Sequence, residues 1–353
     1  MSRVLVVNAG SSSLKLSLLD AGDTVLARPG SLDELADLPA PDAIGHRIVH
    51  GGREFTQPVL IDDDVERRLR ALVDLAPLHQ PKSLHGIDAV RAVLPGVPEV
   101  ACFDTAFHAG LPAAAATYAL PASWREKYGL RRYGFHGLSH AYATRRTGEL
   151  LGADPAALRI VVCHLGAGAS LCAVAGGRSV DTTMGFTPLE GLVMATRSGS
   201  VDPGLLLWLQ QHEGVAIDEL AEVLEHESGL LALAGTPDMR QILARDDADA
   251  TLALEVYVHR LRGLIAEMTA AMGGLDVLVF TGGVGEHAPE IRRRAADGLG
   301  FLGVRIDPVR NAAARGDADI GAPGAAVRSL VVTAREDLEV AAGTRAVLGA
   351  ASR

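Results

Sequence analysis

What this 353-residue chain lacks narrows it first. Aromatic residues make up only 4%, the formal net charge is −10, and no basic stretch is interleaved with aromatics. This charge balance argues against a nucleic-acid partner. The three cysteines, Cys102, Cys163 and Cys172, form no C-x-x-C pair. They suggest neither a disulfide framework nor a zinc site, and two of them lie in apolar, strand-like runs that read as buried thiols. No apolar run approaches the ~18–20 residues that span a bilayer. The chain enters a strand at once, with no basic segment followed by a long apolar one. A cytoplasmic, reducing location is expected. None of the glycine-rich turns fits G-x-x-x-x-G-K-[ST] or the dinucleotide-binding fingerprint. An acidic chain that binds an anion must then hold it with locally placed Arg, Lys and backbone N–H groups.

The chain does have length, with 48% hydrophobic and 22% charged residues. That size suits two domains of about 100–200 residues each in an ordinary globular enzyme. Val4 to Val7 is a β-rich run, Ala9 to Ser13 a turn, and Leu14 to Leu18 an alternating second strand. Further strands are expected at Ile44 to Val49, Val100 to Phe103, Ile160 to Cys163, Asp276 to Phe280 and Leu330 to Thr333. Helical spacing marks Val65 to Asp74, Leu205 to Gln211, Leu252 to Ala271 and Leu338 to Leu348. Alternating strands and helices define the α/β class. Arg3 to Gly10 also lines up with Arg159 to Gly166: a strand, a polar residue at its end, and a glycine two positions on. The match points to two related halves, each opening with strand–turn–strand.

Glycine-rich turns follow apolar strands at Gly10 to Ser13, Gly166 to Ser170 and Gly282 to Gly285. Such turns offer consecutive N–H groups to phosphate oxygens, although hairpins use glycine anyway. Arg47 lies at a strand end in Gly45-His46-Arg47-Ile48-Val49-His50-Gly51-Gly52, and Arg197 lies in Thr196-Arg197-Ser198-Gly199. Either could present its guanidinium fork to a carboxylate or phosphate; taken singly, either reads as a surface charge. Arg131 and Arg132 read as solvated charges, and His136 as a half-buried histidine among glycines and aromatics. Asp104 and Glu336 follow strands and suit Mg²⁺, which takes one or two carboxylates plus phosphate oxygens and water. Each alone also suits a helix cap or a surface acid.

Taken in order, the motifs resemble the acetate kinase (acetokinase) family, within the actin-like/sugar-kinase superfamily. They include Asn8-Ala-Gly-Ser-Ser-Ser-Leu-Lys15, the Arg47 segment, Leu75-Ala-Pro-Leu-His79, Phe103-Asp-Thr-Ala-Phe-His and Arg132-Tyr-Gly-Phe-His-Gly. Cys163-His-Leu-Gly, Asp181 to Gly191, Thr196-Arg-Ser-Gly, Glu227-Ser-Gly-Leu-Leu and Phe280-Thr-Gly-Gly-Val-Gly-Glu continue the series. The resemblance implies a duplicated actin-like ATPase (ribonuclease H-like) fold with ATP between two domains. The first would be residues 1–106 plus 337–353, on the substrate side. The second would be residues 107–336, binding the nucleotide and forming most of a homodimer interface. It implies Mg²⁺ (or Mn²⁺) and ATP/ADP, with acetate or another short-chain acid as partner.

Residue by residue, the resemblance assigns Arg47 and Arg197 to substrate and transition state. It sets His136 beside the transferring phosphoryl group and gives Asp104 a catalytic role. Asn8 and Glu336 correspond to the metal positions. Lys15 corresponds to an ATP contact, and His164, Leu165, Gly166, Ala167 and Gly168 to the phosphate turn. Asp238, Met239 and Arg240, with Gly283, Val284, Gly285, Glu286 and His287, would meet the adenosine. Val49, Leu78, Phe135 and Pro188 correspond to a small methyl pocket. The sequence departs from the family pattern at Ala167 and Ala169 in the phosphate turn, at Ala195 before Thr196-Arg197, and at His287 and Gln80. It is also shorter between Asp20 and Ala43. Weaker or altered nucleotide binding is expected from the first two. The implied reaction is reversible Mg-dependent phosphorylation of acetate to acetyl phosphate. Propionate phosphorylation and a catalytically impaired nucleotide-binding relative are the alternatives.

Overall fold

A computed structural model describes residues 3–9, 14–76 and 80–351. It contains two compact units. The first comprises Met1–Ala109, Phe135–Tyr142 and Arg335–Arg353; the second comprises Gly110–Gly134 and Ala143–Ala334.

The first unit is built on strands β1 (Val4–Ala9), β2 (Leu14–Leu19), β3 (Val25–Ala27), β4 (Ala43–Ile48), β5 (Val59–Leu60) and β6 (Glu99–Phe103). Their order is β3-β2-β1-β4-β6-β5. β1–β2–β3 form an antiparallel meander, β1, β4 and β6 run parallel, and β5 returns antiparallel against β6. The central parallel strands are apolar on both faces because each face is covered. One face carries Val4, Val6, Val100 and Cys102 against Val340 and Ala341 of the closing helix Glu336–Ala351. The other carries Leu5, Val7, Ile44 and Val90, the last from the helix Gln80–Val93.

The second unit repeats the plan. Strands β7 (Ile160–Leu165), β8 (Ala169–Ala175), β9 (Arg178–Thr182), β10 (Val277–Thr281), β11 (Ala318–Asp319) and β12 (Arg328–Val331) lie in the order β11-β12-β10-β7-β8-β9. Again three strands form a meander, three run parallel and the last returns antiparallel. β7 occupies in its sheet the place of β1 in the other, so the repeat of Arg3 to Gly10 at Arg159 to Gly166 is a true structural duplication. The chain thus has the α/β, duplicated actin-like arrangement. All three cysteines are buried free thiols. Among the described residues, no helix is long and apolar enough to cross a membrane.

Candidate active site

Side chains on a strand alternate between faces, and this periodicity builds the site of the first unit. Val4 and Val6 face the closing helix, so Asn8 does too, at the end of β1. The register sets Asn8 beside Arg47 of β4, and Asp104 follows β6 two residues after Cys102, the partner of Arg47. The closing helix begins at Glu336 on this same face. Three parallel strand ends and one helix start therefore bring together four polar residues far apart in sequence.

Their contacts are specific. Arg47 Nη2 and Nε donate to Asp104 Oδ2 and Oδ1 at 2.5 and 3.1 Å, a bidentate fork. Arg47 Nη1 donates to Asn8 Oδ1 at 3.0 Å, and Asn8 Nδ2 donates to Glu336 Oε2 at 3.1 Å. The Arg47 Nε to Glu336 Oε2 distance is 3.9 Å. Asp104 is 1% exposed and Arg47 16%. Burial disfavours the guanidinium charge, but the Asp104 and Glu336 carboxylates outweigh it, and the net effect raises the Arg47 pKa. Lys15 stands opposite Asn8 across the antiparallel β1–β2 pair, with its side chain exposed.

His136 lies in the same unit. It is one of two non-glycine residues with positive φ among those described, at +57°. Its neighbours hold it there. Gly137 N donates to the Asp104 carbonyl at 2.8 Å, and His140 N donates to the His136 carbonyl at 2.9 Å. Fully buried His108 places Nε2 3.1 Å from the Phe135 carbonyl. A carbonyl only accepts, so Nε2 carries the proton; burial lowers the His108 pKa to about 4, leaving the ring neutral at pH 7. Phe135 is buried, as is Val49, and the Phe135 ring meets His50 edge-on with centroids 5.5 Å apart. Leu78 and the Gly10 to Ser13 turn lie outside the described residues.

The remaining candidates belong to the second unit. His164 ends β7 opposite Thr281 of β10. Gly166 N donates to the Gly168 carbonyl at 3.0 Å, closing the turn between β7 and β8 after buried Leu165. Ala167 at its tip is exposed, and its carbonyl accepts from Ala195 N at 3.0 Å. Two of the positions that depart from the family pattern are thus joined by a backbone hydrogen bond. Arg197 Nη1 donates to the Pro188 carbonyl at 3.0 Å, and Nε pairs with Glu225 Oε2 at 3.2 Å. Asp238 caps the helix Met239–Leu243 by accepting from Arg240 N. The Arg240 side chain is 89% exposed and folds back onto Asp238, while Met239 is buried.

Three sequence readings need correction. Gly282 to Gly285 was expected as a turn; it is the start of a short helix, Gly282–His287. Gly282 enters it at φ +78°, where a Cβ would lie 2.8 Å from the Leu165 carbonyl oxygen, so only glycine lets the chain turn there. Within this helix Gly283 and His287 are exposed, Val284 is half-buried and Gly285 is buried. Glu286 Oε1 accepts from Ala334 N at 3.0 Å. Arg132 is not a solvated charge. It donates to Glu190 at 2.8 Å and to the Thr183 and Met184 carbonyls at 3.2 and 3.1 Å. Arg47 and Arg197 are likewise partly buried and paired rather than surface charges.

Sequence reasoning missed Arg292. It is 1% exposed and, among the described residues, donates only to neutral acceptors: Asn311 Oδ1 and O, and the Gly285 and Glu286 carbonyls, all at 2.7–2.9 Å. A cation fits the C-terminal carbonyls of the Gly282–His287 helix; burial lowers its pKa to about 10. The signal was present, because Ile291, Arg292, Ala295 and Ala296 fall on one face of their helix.

Asn8 and Glu336 suit a divalent cation. They are hard oxygen-bearing side chains joined to one another, with no sulfur among them. Among the described residues no group of three or more His, Cys, Asp or Glu could hold a metal.

The chain is thus a duplicated α/β protein with a charged constellation at the strand ends of its first unit. A family model described as the acetokinase family matches residues 31–342. An acetate kinase of Leifsonia xyli is 46% identical over 97% of this chain and 98% of its own length. The acetate kinase structure from Porphyromonas gingivalis superimposes with a TM-score of 0.91 at 36% identity, covering 99% of this chain and all of that one. A propionate kinase structure from Francisella tularensis gives 0.91 at 35%, covering 98% of this chain and all of that one. The chain belongs to the acetokinase family. That membership implies ATP as co-substrate and a divalent metal.

Proposed function

We propose that this protein reversibly transfers the γ-phosphoryl group of ATP to acetate, giving acetyl phosphate and ADP. The carrying observation is Arg47, gripped by Asp104 and tied through Asn8 to Glu336 at three parallel strand ends, in a member of the acetokinase family. In this reading the first unit takes the acid and the second the nucleotide.

Acetate is ionised at pH 7, because carboxyl pKa values lie near 4, so no base need activate it. A carboxylate oxygen forms a bond to the γ-phosphorus as the bond to the ADP oxygen breaks, and no proton changes hands. The barrier is repulsion between anions. Arg47 and Arg197 offset that charge, and His136, whose backbone is left-handed, is assigned to donate to a phosphoryl oxygen. Asp104 orients Arg47 rather than taking a proton. Asn8 and Glu336 would hold Mg²⁺ (Mn²⁺ as substitute), which supplies further neutralisation of phosphate charge. Positioning and electrostatics supply nearly all catalysis in phosphoryl transfer. Lys15, the residues 164–168 and 283–287, and Asp238 to Arg240 are assigned to the nucleotide.

Val49, Leu78, Phe135 and Pro188 are assigned to the methyl group. One methylene is worth only about 1–3 kcal/mol in an apolar pocket, and the Francisella propionate kinase is as similar in structure as the Porphyromonas acetate kinase. Propionate is therefore the second reading. A cytoplasmic homodimer completes the proposal. The dimer is supported by the exposed large apolar side chains of Leu205, Leu207, Trp208 and Ile217 in the second unit, of a kind that association surfaces carry; light scattering of the purified protein tests it.

The deciding assay traps acyl phosphate as hydroxamate with ATP across formate, acetate, propionate and butyrate, with and without Mg²⁺ or a chelator. Metal-dependent product with acetate preferred is expected. No product with any acid would refute the reading, and propionate exceeding acetate would replace it with the second.

A further inference from the structure

Arg197 sits on a loop that is sewn to one distant segment, residues 223–231. Ser198 N donates to the Leu224 carbonyl at 3.0 Å and Ser228 N to the Thr196 carbonyl at 2.9 Å. Leu230 N and Leu231 N donate to the Met194 and Ala195 carbonyls, both at 2.9 Å. Thr196 Oγ1 donates to the Glu225 carbonyl at 2.9 Å. Gly229, at φ +62°, allows this approach, since a Cβ there would collide with the Met194 carbonyl. Within the segment, Val223–Glu227 is a π-helical turn. Such turns insert a residue into a helix and redirect side chains, often at functional sites. Here the turn brings the Glu225 carboxylate to Arg197 Nε at 3.2 Å, with Glu225 only 14% exposed.

A carboxylate beside an arginine that is to bind an anion works against that anion. Its presence needs another purpose. Arg197 has several rotatable bonds, and ordering an arginine costs rotamer entropy. Glu225 fixes Nε while the Pro188 carbonyl fixes Nη1. Two anchors on different nitrogens set the plane of the guanidinium before any substrate arrives. We infer that Glu225 is a positioning residue for Arg197, holding its guanidinium in the orientation that receives the acid substrate and its developing acyl phosphate. This rests on the kinase reading above. It adds a residue that none of the sequence motifs contains.

The test compares Glu225→Ala, Glu225→Gln and wild type in the hydroxamate assay, varying acetate and ATP separately and recording thermal midpoints. Misplacement of a positioning group by about 1 Å can cost roughly 100-fold. Glu225→Ala is expected to lower kcat/KM for acetate by about 30-fold with KM for ATP within about twofold. Glu225→Gln keeps an acceptor for Nε and is expected to recover most of the loss. If Glu225→Ala does not fold, Glu225→Asp, which withdraws the carboxylate by one methylene, is expected to show an acetate-selective loss larger than that of Glu225→Gln. The inference is overturned by unchanged acetate parameters, by a lowered KM for acetate, by equal losses on acetate and ATP, or by no recovery in Glu225→Gln. A wild type that makes no acyl phosphate refutes the kinase reading instead, so the two failures are distinguishable.

Discussion

The two sheets share one topology but end in different chemistry. In the first, the neighbouring strand-end residues are Asn8 and Arg47, joined by Asp104 and Glu336 in a network of charges. The corresponding pair in the second is His164 and Thr281, followed by a glycine-started helix rather than by ions. A duplicated scaffold supplies the same place twice, at the carboxyl ends of parallel strands. In the proposed reading, residues at the ends of β1, β4 and β6, and of β7 and β10, divide the labour. Fixed charges suit a small carboxylate and a cation. Backbone groups and short side chains suit a polyphosphate.

The comparison breaks most visibly at Asp104. Asp104→Asn removes the charge facing Arg47 while keeping the shape. Losing one partner of a buried ion pair costs about 3–5 kcal/mol, and losing its alignment is expected to lower turnover about 100-fold or more. Denaturant melts and hydroxamate kinetics check both; retention of full activity would show that Arg47 needs no such partner. The matching change in the second half is Arg292→Met. It strips the Gly285, Glu286 and Asn311 carbonyls of their donor, at about 1–3 kcal/mol per buried group left unsatisfied. KM for ATP is expected to rise about tenfold with KM for acetate little changed, because the proposed reading assigns the affected helix to the nucleotide. Equal effects on both substrates would contradict the division.

Much of this architecture was legible in residues 4–7, 160–163 and 276–280, where β-rich runs end abruptly in polar residues and glycine. The duplication was legible because its strand and turn recur in like order. Arg132 and Glu225 were not, since each is defined by partners remote in sequence. Arg132 finds Glu190, and Arg197 finds Glu225 28 residues on. Local pattern reads faces and turns; it does not say which charge will be folded against which. The short helix at Gly282–His287 was hidden for a different reason: its glycines carry no helical propensity, and packing against β7 and Arg292 decides its form.

A smaller effect separates the halves by pH. His50 and His108 are fully buried in the first unit, and burial lowers each pKa to about 4. The unfolded chain binds these protons near pH 6.5, so the stabilisation is complete above that value. It is lost as pH falls towards 4, by up to about 3 kcal/mol per histidine. Chemical denaturation from pH 7 to 4.5 should show the first unit weakening, and His108→Gln should flatten the profile. An unchanged slope in that variant would mean that other groups carry it.

The smallest expected effect lies at Thr281. It is fully buried, and among the described residues its Oγ1 has no hydrogen-bond partner. Thr281→Val is therefore expected to change stability by less than about 1 kcal/mol. A raised KM for ATP in the same variant would show that the hydroxyl serves the nucleotide, whereas an unchanged KM would leave backbone groups as the second half's contribution.

In the proposed reaction Arg47 offsets the repulsion between acid and phosphate. Its most direct test is kcat/KM for acetate in Arg47→Ala, measured as hydroxamate at saturating ATP and Mg²⁺. Arginines in phosphoryl-transfer sites are worth about 10³–10⁵ in rate, and a fall of at least about a thousandfold is predicted, with ATP binding largely retained. Activity close to that of the wild type would contradict the claim that this strand-end cation performs the chemistry.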